Sequence, residues 1–316
     1  MWRARTGSVD LSRARGEVYT PVTVSRSSSV LSVRRERARK AALDAVAAWH
    51  ARFDPRDALS RDPLRFARRY AEKRDREVVA MLSALMAFGR VSIIGARLEV
   101  LFSRLGPSPA GRAMNASRDE LLQLLGSFKH RTFRGEDIAL LVHAMGVLLR
   151  RDGGLYVSLE RAYEETRDLR ESLGRWTDSL RALAWPEGAT RSARHLLPDP
   201  RGPSASKRLN LLLRWVARPD DGIDLGLSRL PTSALLVPVD VHVHRIARNL
   251  GFTARNDASW RTAEEITAVL RTLSSEDPVR YDMALCHLGI ARQCPSKRDP
   301  VRCDGCALRD VCVHWK

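Results

Sequence analysis

The chain has little lysine. Of its 54 basic residues only six are lysine: Lys40, Lys73, Lys129, Lys207, Lys297 and Lys316. No apolar run approaches the roughly 18 residues of a membrane-spanning helix, which excludes a helical membrane protein. The N-terminus is arginine-rich but has no apolar signal core, so a secretory leader is not expected. Period-2 strand patterns are scarce and no internal repeat is found. Cysteine is sparse too. Four of the five cysteines crowd into the last stretch of chain, which excludes a disulfide framework and suits a metal centre in a reducing compartment.

What the chain does have is positive charge. Over 316 residues the net charge is +17, from 54 basic against 37 acidic residues, and the pI is about 10.7. That balance suits a polyanionic partner, nucleic acid first and an anionic membrane surface second. A genome that favours arginine would give the same composition. The expected location is the cytoplasm, in association with the nucleoid, and the expected state is a monomer.

The fold class expected is all-α. Residues 1–35 mix arginine, serine and glycine without periodicity and read as a disordered basic arm or a misassigned start. From about residue 36 one helical pattern follows another. Val78, Met81, Leu82 and Leu85 share one face, and Gly106 before Pro107 stops the helix that precedes it. Further helices are expected near 117–127, 135–151, 155–172, 174–184, 204–217, 241–250, 259–273 and 276–291. The Pro- and Gly-bearing stretch from Trp185 reads as a loop leading into the helix at 204.

Cys294, Cys303, Cys306 and Cys312 form C-x8-C-x2-C-x5-C. Four thiolates so spaced can wrap a [4Fe-4S] cluster or Zn²⁺. Arg292, Lys297, Arg298, Arg302 and Arg309 surround them and can grip phosphates. Cys286, in the apolar run MALCHLGI, reads as a buried core thiol.

Two further segments carry chemistry. In 202–218 the stripe Leu209, Leu212, Leu213 and Val216 faces a core, leaving Lys207, Arg214 and Arg218 on a basic outer face, with Lys207 in the first turn. In 237–252 Asp240 precedes the apolar stripe Val243, Ile246, Ala247 and Leu250, and Gly251 closes that helix. Asp240 also reads as an N-cap, and Lys207 as a phosphate contact or solvated helix start. His242 and His244 do not share a helix face. His242 is expected to support Asp240 or a phosphate, and His244 to face solvent.

The segment Pro238-Val239-Asp240-Val241-His242-Val243-His244-Arg245-Ile246 resembles the stretch after the hairpin in helix-hairpin-helix GPD base-excision DNA glycosylases. The cysteine spacing resembles the C-x6-C-x2-C-x5-C cluster loop of endonuclease III-type members, with a first gap two residues longer. MLSALMAFGRVSIIGARLEVLF resembles their early helix pair. The likeness covers roughly residues 70–105 and 200–316. Ser204 through Trp215 also resemble the S-A-x-K-R-L-N-x-x-L-R-W signature of a related bacterial family of unknown function.

The resemblance implies a two-lobed fold, one lobe of residues 76–236 and another joining 36–75 to 237–316, with an Fe–S loop at 294–312. It implies a catalytic carboxylate at Asp240 and a Schiff-base lysine at Lys207. It implies double-stranded DNA containing a damaged base as partner and a [4Fe-4S] cluster as cofactor, zinc being the alternative. The 33 residues from Lys207 to Asp240 are close to the spacing of archaeal 8-oxoguanine glycosylases, which makes 8-oxoguanine the first guess for the lesion. The DNA contacts expected are Ser204, Ser206, Arg208, Arg214, His242, Arg245, Lys297 and Arg298. A helix N-terminus and Arg208 would both help to lower the Lys207 pKa.

Two departures accompany the likeness. The family's L-P-G-V-G hairpin is replaced by Gly202-Pro203-Ser204-Ala205-Ser206, where the amides from Ser204 to Lys207 can still bind an anion. Leu85 stands where endonuclease III has a glutamine that fills the gap left in DNA, and an apolar wedge can replace it. Candidate base stackers are Phe88, Phe128, His130, Phe133 and Trp215, each also a core candidate. Two rivals remain: a non-catalytic DNA-binding or damage-sensing protein, and a zinc-stabilised helical protein that binds RNA or another protein.

Overall fold

The computed structural model describes residues 26–315, with side chains from residue 33. The chain is mostly helical, as its patterns predict. In order come α1 (Arg26–Arg52), α2 (Pro55–Arg61), a 3-10 turn (Pro63–Arg69), α3 (Lys73–Leu85), α4 (Val91–Leu105), α5 (Pro109–Asn115) and α6 (Arg118–Leu125). A two-stranded hairpin, β1 (Lys129–His130) and β2 (Phe133–Arg134), leads to α7 (Gly135–Asp152), α8 (Val157–Thr166), α9 (Leu169–Ala184) and α10 (Arg191–Leu196). Then follow α11 (Lys207–Ala217), α12 (Val241–Asn249), α13 (Trp260–Arg271) and α14 (Asp282–Ala291).

Two units are distinguished by their internal contacts, residues 1–38 and 39–316. Most of the expected basic arm lies outside the described residues. Its last ten residues, 26–35, form the start of α1, whose span contains no Gly or Pro to interrupt it.

In the larger unit α3 is the hub. Val78, Met81, Leu82 and Leu85 are completely buried, and α3 packs against α11, α5 and the first 3-10 turn. Burial extends round the helix from Glu77 to Leu85, as expected of a helix wrapped by others. The second packing group places α12 against α14. Helix ends follow local chemistry. Ser117 and Glu120 form a capping box on α6, and Gly106 ends α4 at φ +82°. Gly146 lets α7 close on α5, since a Cβ there would lie 1.8 Å from the Ala113 carbonyl oxygen.

Three boundaries differ from expectation. The helix expected over 155–172 breaks at Arg167, left-handed at φ +54°, and Asp168 caps the start of α9. The stretch after Trp185 contains α10, whose N-cap Thr190 accepts from the Ala193 amide. The helix expected from 204 begins at Lys207. Ser204 is held in an extended bridge to Ser259, and Ser206 takes a left-handed conformation at φ +46°, so neither can join the helix.

Candidate functional site

Lys207 and Asp240 meet where two helices begin. Asp240 caps α12: its Oδ1 accepts from the His242 amide at 2.9 Å and the Val243 amide at 2.8 Å. The other oxygen, Oδ2, is left to face Lys207 Nζ at 3.7 Å. The Asp240 side chain is 12% exposed and that of Lys207 37% exposed. Capping and a chemical role are therefore compatible, because each uses a different carboxylate oxygen.

Cys286 is the site residue that sequence reasoning missed. It is half-buried and packs against the hydrophobic core, as expected, but it also belongs to this site, with Sγ 3.5 Å from Asp240 Oδ2. Burial, then the carboxylates Asp240 and Asp282, push its thiol well above the ordinary range, so it stays protonated and can donate to Asp240. Asp282 lies one helical turn earlier on α14. Burial pushes Asp282 up to about 6 against the pull of Arg214, with Asp240 adding to the push. The signal available in the sequence was an acidic residue four positions before a cysteine in an otherwise apolar helix, which puts both on one face.

The expected basic outer face of α11 is corrected. Arg214 is buried and bridges Asp282 at 2.9 Å and Asp224 at 3.0 Å. Burial opposes its charge, but those carboxylates and Asp62 hold it protonated. Arg218 pairs with Asp224 and, at 2.9 Å, with Asp277. Arg214 is thus an interior counter-ion and not a DNA contact. Arg208 is buried as well. Its guanidinium donates to the carbonyls of Leu85, Leu196 and His195 and lies over Phe133. Burial without a carboxylate lowers it to about 10. It serves to tie α11 to α3 and α10, and is neither a phosphate contact nor a neighbour directed at the Lys207 amine.

The other expected contacts divide in the same way. Ser204 is exposed and Ser206 buried, with Ser206 Oγ left without a partner. The Ala205 amide donates to Ala258 O and the Ser206 amide to Ser204 Oγ, so two of the four amides expected to bind an anion are already engaged. His242 supports Asp240 through its backbone; its ring Nδ1 is buried and unpartnered. His244 is half-buried, not solvent-facing, with Nε2 3.1 Å from Arg255 O. Leu85 is completely buried and cannot act as a wedge. Phe128, His130, Phe133 and Trp215 are core residues, while Phe88 reaches the surface at 36% exposed.

All four clustered cysteines line one cavity, closed by Ile246, Leu288, Leu308 and Trp315. None of the five cysteines is in a disulfide. Asn249 organises the wall: its Nδ2 donates to Cys294 Sγ at 3.4 Å and Pro295 O at 3.1 Å, and its carbonyl receives the Val313 amide. Arg245 donates to Cys294 O at 2.7 Å and so holds the loop to α12. Arg292 donates to the carbonyls of Asp304 and Gly305, both at 2.9 Å. Lys297 and Arg298 are exposed, and Arg298 and Arg309 both lie over Trp315. Among the described residues no three His, Cys, Asp or Glu side chains are set to hold a single ion. Four thiols lining one cavity are a donor set of the chemistry that binds either Zn²⁺ or an iron–sulfur cluster.

Among the described residues no helix is long and apolar enough to cross a membrane. A family model described as "Protein of unknown function (DUF2400)" matches residues 62–291, and the chain belongs to that family. The match takes in Lys207, Asp240, Asp282 and Cys286 and ends just before Cys294. No curated protein and no solved structure matches the chain.

Proposed function

We propose, taking membership of that family as the premise, that the protein is a base-excision DNA glycosylase of the two-lobed helix-hairpin-helix type with abasic-site lyase activity. The observation that carries this reading is the approach of Lys207 Nζ to Asp240 Oδ2, 3.7 Å apart across 33 residues of chain. An amine beside a carboxylate is the equipment for attack at a sugar C1′. The neutral amine forms the C–N bond as the base leaves with the glycosidic electron pair. The amine's proton passes to the departing base, the sugar ring opens to a Schiff base, and elimination, with loss of a C2′ proton, then breaks the 3′ phosphate ester. Asp240, held by two amides, stabilises the positive charge that builds on the sugar. The target base must leave the duplex stack to reach these groups.

The cysteine cavity supports a [4Fe-4S] cluster held by Cys294, Cys303, Cys306 and Cys312, whose part is to order the C-terminal loop. Lys297 and Arg298, exposed on that loop, suit phosphates.

Borohydride trapping on abasic, 8-oxoguanine, uracil and thymine glycol duplexes tests the chemistry. Wild type gives a covalent complex, while Lys207→Gln and Lys207→Arg give none. No trapping by wild type with an intact cluster would remove the lyase mechanism. The second reading, DNA binding without chemistry, is favoured by the structural work that Asp240 already does in capping α12. It predicts salt-sensitive binding that is unchanged in Lys207→Gln.

A further inference from the structure

The hairpin β1–β2 and α10 enclose an open groove whose wall carries Lys129, Arg131, Arg134 and Arg191. All four are exposed, and among the described residues none pairs with a carboxylate. That separates them from Arg214 and Arg218, which neutralise buried acids. One acid, Glu136, lines the same groove, leaving a clear positive excess.

An aromatic edge borders these cations. Phe88 has the Arg131 guanidinium over its ring at 4.5 Å and the His195 ring edge-on at 5.0 Å. Arg131 reaches this position from the tight turn of the hairpin, at φ +54°, and His195 is steadied by Thr132 Oγ1 at 3.0 Å from Nδ1. An exposed phenylalanine flanked by a guanidinium and an imidazole is an aromatic surface ready for a flat ring. The groove is also tied to the start of α11. Arg208, next in sequence to Lys207, donates to the carbonyls of His195 and Leu85.

We propose that this groove is a binding site for a DNA strand, its phosphates on Lys129, Arg131, Arg134 and Arg191 and a base against Phe88 and His195. The spacing of unpaired cations along an aromatic edge is the combination that binds single strands without reading sequence. The assignment of DNA as the occupant rests on the proposed function. The groove would then hold the strand flanking the lysine site, outside the segments through which Lys207 and Asp240 are positioned.

The test uses the full chain and a short fluorescent single-stranded oligonucleotide, with anisotropy followed across a salt series. Arg131→Gln/Arg191→Gln should flatten the plot of log affinity against log salt by about 1.4, two phosphate contacts at about 0.7 each. Phe88→Ala should weaken binding roughly tenfold with the slope unchanged, since stacking is not ionic. Arg52→Gln/Arg56→Gln, equal in charge lost but placed elsewhere, gives the control slope. A groove variant with the control's slope overturns the site, and stronger binding of an RNA of the same sequence overturns the choice of DNA. Groove-dependent binding without borohydride trapping removes the lyase mechanism and keeps the groove. Trapping with unaltered groove variants does the reverse.

Discussion

Replacing Asp240 by Asn and by Ala separates its two roles. In the structure Oδ1 accepts from two amides of α12 while Oδ2 faces Lys207 and Cys286. Asparagine keeps a carbonyl oxygen for the amides and ranks with aspartate as an N-cap, so Asp240→Asn retains the cap. Its loss of charge removes an ion pair whose lysine is more than a third exposed, worth less than about 1 kcal/mol after solvent screening. Alanine removes the cap as well, a further cost of about 1 kcal/mol with a range of roughly 0.5–2. For 316 residues, at about 2.1 cal/mol/K of unfolding entropy per residue, a loss of about 1 kcal/mol is a fall of about 1.5 °C in Tm. Urea and thermal unfolding should therefore order the proteins wild type, Asn, Ala, with Asn close to wild type. Activity should not follow that order. If the carboxylate stabilises the developing sugar charge, both variants lose roughly a hundredfold or more in single-turnover base release and in trapping. An Asp240→Asn protein that keeps wild-type activity, with Asp240→Ala impaired only in proportion to its instability, would reduce Asp240 to a helix cap and refute the catalytic argument.

Three further outcomes are expected. Cys286→Ser keeps a donor for Asp240 Oδ2 and should trap abasic DNA nearly as well as wild type, whereas Cys286→Val should fall several-fold at unchanged KM; equal loss in both would mean that the thiol only packs. Asp282, pushed by burial up to about 6 from the ordinary carboxylate range, binds its proton more tightly folded than unfolded, so its contribution is present at low pH and is lost as pH rises through 6. Linkage puts this loss at about 1.4 kcal/mol between roughly pH 5 and pH 7.5, and urea midpoints of wild type against Asp282→Asn should show that pH dependence in the former and not the latter. Purified protein should contain about four irons with matching sulfide per chain, and Cys303→Ala should lose them and expose the loop to trypsin at Lys297 and Arg298; one zinc per chain and no sulfide would favour the zinc-stabilised rival.

Where the sequence was legible, one physical signal dominated. The stripe Val78, Met81, Leu82 and Leu85 is apolar at helical spacing and is buried on α3, and Gly106 before Pro107 can only end a helix. The site was legible in part for the same reason: Asp240 before an apolar stripe is a cap wherever it occurs, and the structure uses it as one. What was not legible depended on partners distant in sequence. A helical wheel sends Arg214 outward because it cannot know that Asp224 and Asp282 supply buried carboxylates. The start of α11 was misplaced because Ser204 pairs with Ser259, some fifty residues away. Cys286 does pack against the core, as its apolar run implies, but its place at the site was hidden because its neighbour Asp240 comes from a different helix.

The arginine excess also changes how Lys207 is weighed. Net charge suggests a cationic surface, yet Arg208, Arg214 and Arg218 have their guanidinium groups turned to interior carbonyls and carboxylates. Arginine suits that use, with a planar fork that can serve several acceptors and remains charged when buried. If the Lys207 position required only a cation for Asp240, arginine would fill it as well, and this chain uses arginine nearly everywhere else. Lysine differs in the one property that amine attack requires, the capacity to lose its proton at an attainable pH. The +17 charge is shared by every polyanion-binding explanation and separates none of them. One of six lysines, beside a capped aspartate, separates chemistry from binding, because Lys207→Arg preserves the charge and removes the nucleophile.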